Sequence, residues 1–191
     1  MNYHKIEKTS IANGTGIRVV LWCSGCSLHC KGCQNPETWD VNSGRLFNEE
    51  SKRELFEALG NSYIQGITFS GGHPLEDENV ETVYLLVKEI KEKFPTKDIW
   101  LYTGYTLEQI FPTIVTSDFN LERFYRQSII EMCDVVVDGA YIEKLRDITL
   151  KWRGSSNQRV IDVKQTILHN QIVLYEDNER NFKDKEATIQ N

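Results

Sequence analysis

The run Ile17–Cys33 reads IRVVLWCSGCSLHCKGC: a short β-branched strand that empties directly into four of the chain's five cysteines. A strand ending in a ligand-rich loop sets the fold to look for, because in sheets of parallel strands the ligands gather at the carboxyl ends. The rest of the sequence repeats the arrangement. NEESKRELFEALG has an Asn48 cap, acidic residues Glu49 and Glu50 at the positive helix start, and Leu55, Phe56 and Leu59 on one face before Gly60. GITFSGG reads as a buried strand ending in a glycine pair, and DENVETVYLLVKEIKEKFP places Val80, Val83, Val87 and Ile90 at helical spacing before Pro95 breaks the run. DIWLYTGY is a further strand, TLEQ at Thr106–Gln109 has capping-box form, LERFYRQSIIEMC is helical, and DVVVDG is a strand. RVIDV and QIVLY read as shorter late strands.

Strands alternating with helices imply parallel strands joined by right-handed crossovers. A closed eight-unit barrel takes ~250 residues. With 191 residues the expectation is an α/β open partial (β/α) barrel of about five to six parallel strands. Residues 1–175 form a single domain in this reading, and 176–191 form a polar, frayed C-terminal tail. The positions just after the strands are then Cys26, Gly71 and Gly72, Thr103 and Gly104, and Asp138 and Gly139.

The composition sets limits on partners. Hydrophobic residues at 40% and charged residues at 26% suit a soluble globular protein, and no apolar run approaches the ~20 residues of a membrane span. MNYHKIEKTS lacks the apolar stretch of a signal peptide, so a cytoplasmic location with reduced thiols is expected. A net charge of −6 gives no reason to expect nucleic acid. Basic residues do gather in Leu145–Arg159, LRDITLKWRGSSNQR, which reads either as a solvated loop or as a docking surface.

The cysteines allow several readings. Reduced surroundings and crowding oppose disulfides. Zinc sites usually separate their ligand pairs by a dozen or more residues, whereas Cys23-x-x-Cys26 and Cys30-x-x-Cys33 are three residues apart. Tight cysteine loops suit iron–sulfur clusters. Four thiolates close such a cluster for electron transfer; three leave one iron open for substrate.

The subset Cys26, Cys30 and Cys33 has the spacing C-x-x-x-C-x-x-C, which resembles the radical S-adenosylmethionine enzymes. Five segments in order, GTGIRVVLWCSGCSLHCKGCQNPETWD, FSGGHPL, WLYTGYT, DVVVDGAYI and WRGSSNQRVIDV, resemble the activases of anaerobic ribonucleotide reductase. Phe111–Arg126 and the tail carry no such likeness. Two positions depart from the wider superfamily: Gly32 stands where many members have an aromatic residue, and GGHP stands where many read GGEP.

The resemblance implies an oxidoreductase with one 4Fe-4S cluster per chain, ligated by Cys26, Cys30 and Cys33, with Cys23 a buried bystander. S-adenosylmethionine would chelate the open iron and be split reductively, and the 5′-deoxyadenosyl radical would take a hydrogen atom from a glycine of the reductase. Cofactor contacts are expected from Gly32, Cys33, Gln34, Gly71, Gly72, His73, Thr103 and Asp138, with a plain helix cap as the other reading of Thr103 and Asp138. His29 would tune solvent access, and Trp22 and Trp39 would pack around the cluster. Arg153, Ser155, Ser156, Asn157 and Arg159 would receive the cofactor or the glycine loop. Expected partners are the large, glycine-bearing subunit of the reductase and a reducing protein of the flavodoxin or ferredoxin type. The competing functions are an activase of another glycyl-radical enzyme, of the formate-lyase kind, and a four-cysteine electron carrier.

Overall fold

The structure, a computed structural model, describes residues 1–112 and 119–176. Seven strands form one sheet: β1 (Asn2–Ser10), β2 (Ile17–Cys23), β3 (Arg45–Leu46), β4 (Ile64–Gly71), β5 (Asp98–Tyr102), β6 (Val135–Asp138) and β7 (Arg159–Asp162). Their order is β3-β1-β2-β4-β5-β6-β7. The helices are α1 (Glu49–Leu59), α2 (Asp77–Lys93), α3 (Leu107–Ile110), α4 (Leu121–Met132) and α5 (Val163–His169).

The α/β class holds, but the expected five to six parallel strands do not. Only β2, β4, β5 and β6 run parallel; β1, β3 and β7 pair antiparallel, so the sheet is mixed. The physical reason lies in the connections. Parallel neighbours require a crossover helix, and α1, α2 and the α3–α4 pair supply one between each parallel pair. Between β6 and β7 the described chain holds a single 3₁₀ turn at Glu143–Leu145, so the strand returns antiparallel. Of QIVLY, Leu174 alone makes an isolated bridge, to Ile161. Strand β1 escapes a hydrophobicity reading because only Tyr3 and Ser10 of its nine residues are buried. The expected tail, 176–191, lies outside the described residues beyond Glu176.

Strand alternation divides the sheet into two faces. Val19, Leu21, Ile67, Phe69, Ile99, Leu101 and Val136 meet the helices in the main core. Val80, Val83, Val87 and Ile90 of α2 are at most 1% exposed, and each such burial stabilises by about 1.5–3 kcal/mol. The expected caps form: the Asn48 side chain accepts from Ser51 N, and Thr106 and Gln109 close a capping box. On the opposite face, Trp100, Val135, Val137 and Val160 are covered by loops carrying Trp152 and Tyr175, whose rings lie 5.1 and 5.3 Å from that of Trp100.

A buried arginine ties this second face together. Arg18 is fully buried, donates from Nε to Thr68 Oγ1 (2.9 Å), from Nη1 to Thr15 O (3.0 Å) and from Nη2 to Ile67 O (2.8 Å), and pairs with Asp98 Oδ1 at 2.5 Å. Its guanidinium lies 5.2 Å from the centre of the Trp100 ring.

At the start of β6, Asp134 receives Lys91 Nζ and the Ile99 amide, both at 2.8 Å, and Lys164 Nζ at 2.5 Å. Burial alone would raise its pKa, but the two lysines and the amide outweigh that and hold it below the usual value. A depressed carboxyl pKa adds stability that is complete above the unfolded value of about 3.9 and is lost as the pH falls through the lower folded one. Asp134→Asn should therefore lose roughly 1–2 kcal/mol at neutral pH. Urea midpoints from pH 6 to pH 2 should fall less steeply for the variant than for the parent chain.

Candidate functional site: the cysteine cavity

The loop after β2 is sewn into its surroundings by main-chain bonds. Ser24 N donates to Asn2 O (3.0 Å), Gly25 N to Thr38 O (2.8 Å), Cys26 N to Trp39 O (3.0 Å), Gly72 N to Cys23 O (2.8 Å) and His73 N to Gly25 O (2.7 Å). Two left-handed residues, His29 (φ 44°) and Gly32 (φ 73°), wind the loop between its cysteines. The loop thereby turns Cys26, Cys30 and Cys33 toward a single cavity of about 480 Å³, within the usual range for small-molecule sites.

Cys23 does not reach that cavity. It is fully buried among the core residues of the helix-facing side, and burial pushes its thiol up to about 12, so it stays protonated. The thiols of Cys26, Cys30 and Cys33 are partly exposed. Burial also raises Cys26, but the Leu28 and His29 amides hydrogen-bond its sulfur and oppose the rise. Asn35 N donates to Cys33 Sγ at 3.4 Å. Amide donors aimed at sulfur favour thiolate and tune an iron–sulfur centre. Beside the same loop, the buried Trp39 Nε1 has no acceptor among the described residues, and the Trp39 ring packs 4.8 Å from that of His29. Three partly exposed thiols on one cavity and amide donors to two of their sulfurs together fit an iron–sulfur group on this loop.

The family described as a 4Fe-4S single cluster domain matches residues 12–161. The chain is 41% identical to the anaerobic ribonucleoside-triphosphate reductase-activating protein of Enterobacteria phage T4 over 160 residues, 84% of this chain and 93% of the relative. It is 39% identical to the protein of that name from Escherichia coli K12, over 84% of this chain and 97% of the relative. The Haemophilus influenzae protein is 37% identical, over 83% of this chain and 96% of the relative. The chain belongs to the anaerobic ribonucleoside-triphosphate reductase-activating proteins.

Most of the residues singled out in this activase family member converge. Gln34, Gly71, Gly72, His73 and Thr103 line the cavity with the three thiols. Gly32 does not line it; a Cβ there would come 2.9 Å from Glu143 Oε1. Asp138 is fully buried on the helix-facing side, where it caps α3 by accepting from Leu107 N (2.9 Å) and pairs with Arg159. Arg159 also forms a two-bond pair with Glu108 at 2.8 and 2.9 Å, so it links β7, β6 and α3. Arg153, Gly154 and Gln158 do line the cavity, and Gln158 organises their loop by accepting from the Gly154 and Ser155 amides and donating to Gly139 O.

His73 is buried, not at the surface as a stray histidine would be. Nδ1 lies 3.0 Å from Glu76 Oε1 and Nε2 lies 2.8 Å from Thr103 Oγ1. A carboxylate only accepts, so Nδ1 carries a proton. The His73 bond, opposed by burial and helped by the Ser27 amide and hydroxyl, lowers Glu76 to about 2. Thr103 also accepts from Tyr105 N at 3.1 Å. Both side chains are thus committed to bracing the β4 and β5 ends.

The residues that sequence reasoning passed over are Ser70, Tyr102, Tyr141 and Asn13, all on the cavity wall. For Ser70 and Tyr102, only β-strand register, Trp22↔Ser70 and Tyr102↔Val137, reveals that they share a face with Trp22.

Gly72 has a geometric need of its own. A Cβ there would sit 2.6 Å from Gly25 O, 3.0 Å from Thr38 O and 3.1 Å from Cys23 O, all main-chain atoms of the cysteine loop. Gly72→Ala should push this loop away, costing about 1–3 kcal/mol as other overpacked sites do. Thermal melting with iron titration checks this; the variant should melt lower and bind iron less tightly.

Proposed function

We propose that this protein activates anaerobic ribonucleotide reductase by splitting S-adenosylmethionine reductively and generating a glycyl radical on the reductase's large subunit. The observation that carries the reading is the convergence of Cys26, Cys30 and Cys33 with Gly71 and Gly72 on one cavity. When bound, the iron–sulfur cluster supplies the electron that breaks the sulfonium carbon–sulfur bond, an electron it receives from a flavodoxin- or ferredoxin-type protein.

The chain's own residues bind, orient and dry the site. The three thiolates hold the cluster and leave it one ligand short of closure. The Gly72 and His73 amides are already taken by Cys23 O and Gly25 O, so the glycine pair turns to carbonyl oxygens as acceptors for the cofactor's amino group. Gly71, at φ 95°, makes that backbone approach possible. Trp22, Tyr102, Tyr141 and Trp152 wall the cavity with aromatic surface that excludes water. Holding cofactor and glycine together in such a site replaces a bimolecular encounter, worth up to ~7–11 kcal/mol of barrier.

The test is anaerobic. The protein is reconstituted with iron and sulfide, reduced and given S-adenosylmethionine; 5′-deoxyadenosine and methionine should appear in equal amounts. With the reductase added, electron paramagnetic resonance should show a glycyl signal. A protein with an intact cluster that yields neither nucleoside nor signal would refute the reading.

A further inference from the structure

Across the sheet face opposite the helices, Trp22 pairs with Ser70, and Tyr102 with Val137, in the last turns of β2, β4, β5 and β6 before the site. Ser70 and Tyr102 immediately precede Gly71 and Thr103. Their side chains therefore leave the sheet on the face that Arg153 and Trp152 overhang, not on the helix side. Several other polar groups of this wall are engaged: Trp22 Nε1 donates to Glu7 (3.1 Å), Asn13 O accepts from Thr68 Oγ1 (2.7 Å), Thr103 Oγ1 serves His73, and Arg153 Nη1 donates to Gln158 O (2.5 Å). The hydroxyls of Ser70 and Tyr102 make no hydrogen bond to any described residue, although Ser70 is only 8% exposed.

Neither oxygen is among the buried side-chain atoms left without a partner, so both hydroxyls open onto the cavity and can bond whatever enters it. A hydroxyl both donates and accepts, and Tyr102 keeps its proton because burial raises its pKa. A glycine offers no side chain to recognise, only an amide N–H and a carbonyl on either side of its α-carbon. Two neutral hydroxyls in the cavity that the thiols and the glycine pair also line match that requirement. Resting on the reading above, we propose that Ser70 and Tyr102 position the reductase's glycine segment by hydrogen-bonding its main chain.

The test uses Tyr102→Phe and Ser70→Ala, which remove single hydroxyls and little else, in full-length reconstituted protein. Two quantities are measured together: S-adenosylmethionine cleaved, and glycyl radical formed on the intact reductase. The ratio of radical to cleavage should fall about tenfold in each variant, as one lost hydrogen bond implies. A ratio equal to that of the parent protein overturns the proposal. So does a loss of cleavage that matches the loss of radical, which would assign the hydroxyls to the cofactor instead. Failure of the parent protein to cleave or to form the radical would show up in the same experiment as failure of the underlying reading.

Discussion

Serine at Cys26, Cys30 or Cys33 should abolish both the iron–sulfur absorbance and S-adenosylmethionine cleavage, a loss of at least about a thousandfold in rate, or ~4 kcal/mol. Cys23→Ser should retain both. The two outcomes differ for reasons visible in the fold. Cys23 ends β2 with its side chain among the aliphatic residues under the helices, and its thiol is held protonated. A ligand must be a thiolate with access to metal. The three others share a cavity, and sulfur in two of them is met by backbone amides. Serine oxygen is a harder and poorer ligand for iron–sulfur chemistry. The Cys23→Ser variant should pay only about 1–3 kcal/mol for a buried hydroxyl, readable as a lower melting temperature with unchanged iron content. An iron-free Cys23→Ser protein of intact fold would contradict the three-ligand assignment.

Arg18→Met should be the most destabilising single change away from the cysteines, by on the order of 3–5 kcal/mol. That is a large part of the ~5–15 kcal/mol that holds an ordinary domain together. The methionine can fill space against Trp100, but it strands Asp98 and leaves Thr68 Oγ1, Ile67 O and Thr15 O without their donor. Thr15 belongs to the β1–β2 loop, whose Ala12 and Asn13 line the cavity. The site should therefore loosen as the fold weakens. Urea unfolding should show a lower midpoint at unchanged slope. Adding Asp98→Asn should recover part of the loss, since an unpaired charge is then removed. No recovery would mean that the hydrogen bonds, not the charge pair, carry the energy.

How much of this was legible beforehand differs from residue to residue. The helices were, because Asn48, the Thr106–Gln109 box and the Val80–Ile90 spacing are local patterns with local causes. The direction of β7 was not, since antiparallel return depends on the lack of a crossover helix after Gly139, and loop content carries no periodicity. Strand β1 was invisible for a related reason: an antiparallel strand with few buried side chains has almost no apolar signal. Asp138, after a strand, read equally as a cofactor contact or a helix cap; strand alternation turns it to the helix side, where it caps α3.

By itself the sequence picked out the cysteine spacing, the glycine pair and the alternation of strands and helices. Those depend on residue type and on spacing along the chain, which covalent geometry preserves. Only the tertiary structure decided that His73 is spent on Glu76 and Thr103, that Arg159 is a brace while Arg153 faces the cavity, and that Ser70 and Tyr102 share its wall. These depend on register between strands far apart in sequence. A one-residue slip in register would turn every such side chain to the other face.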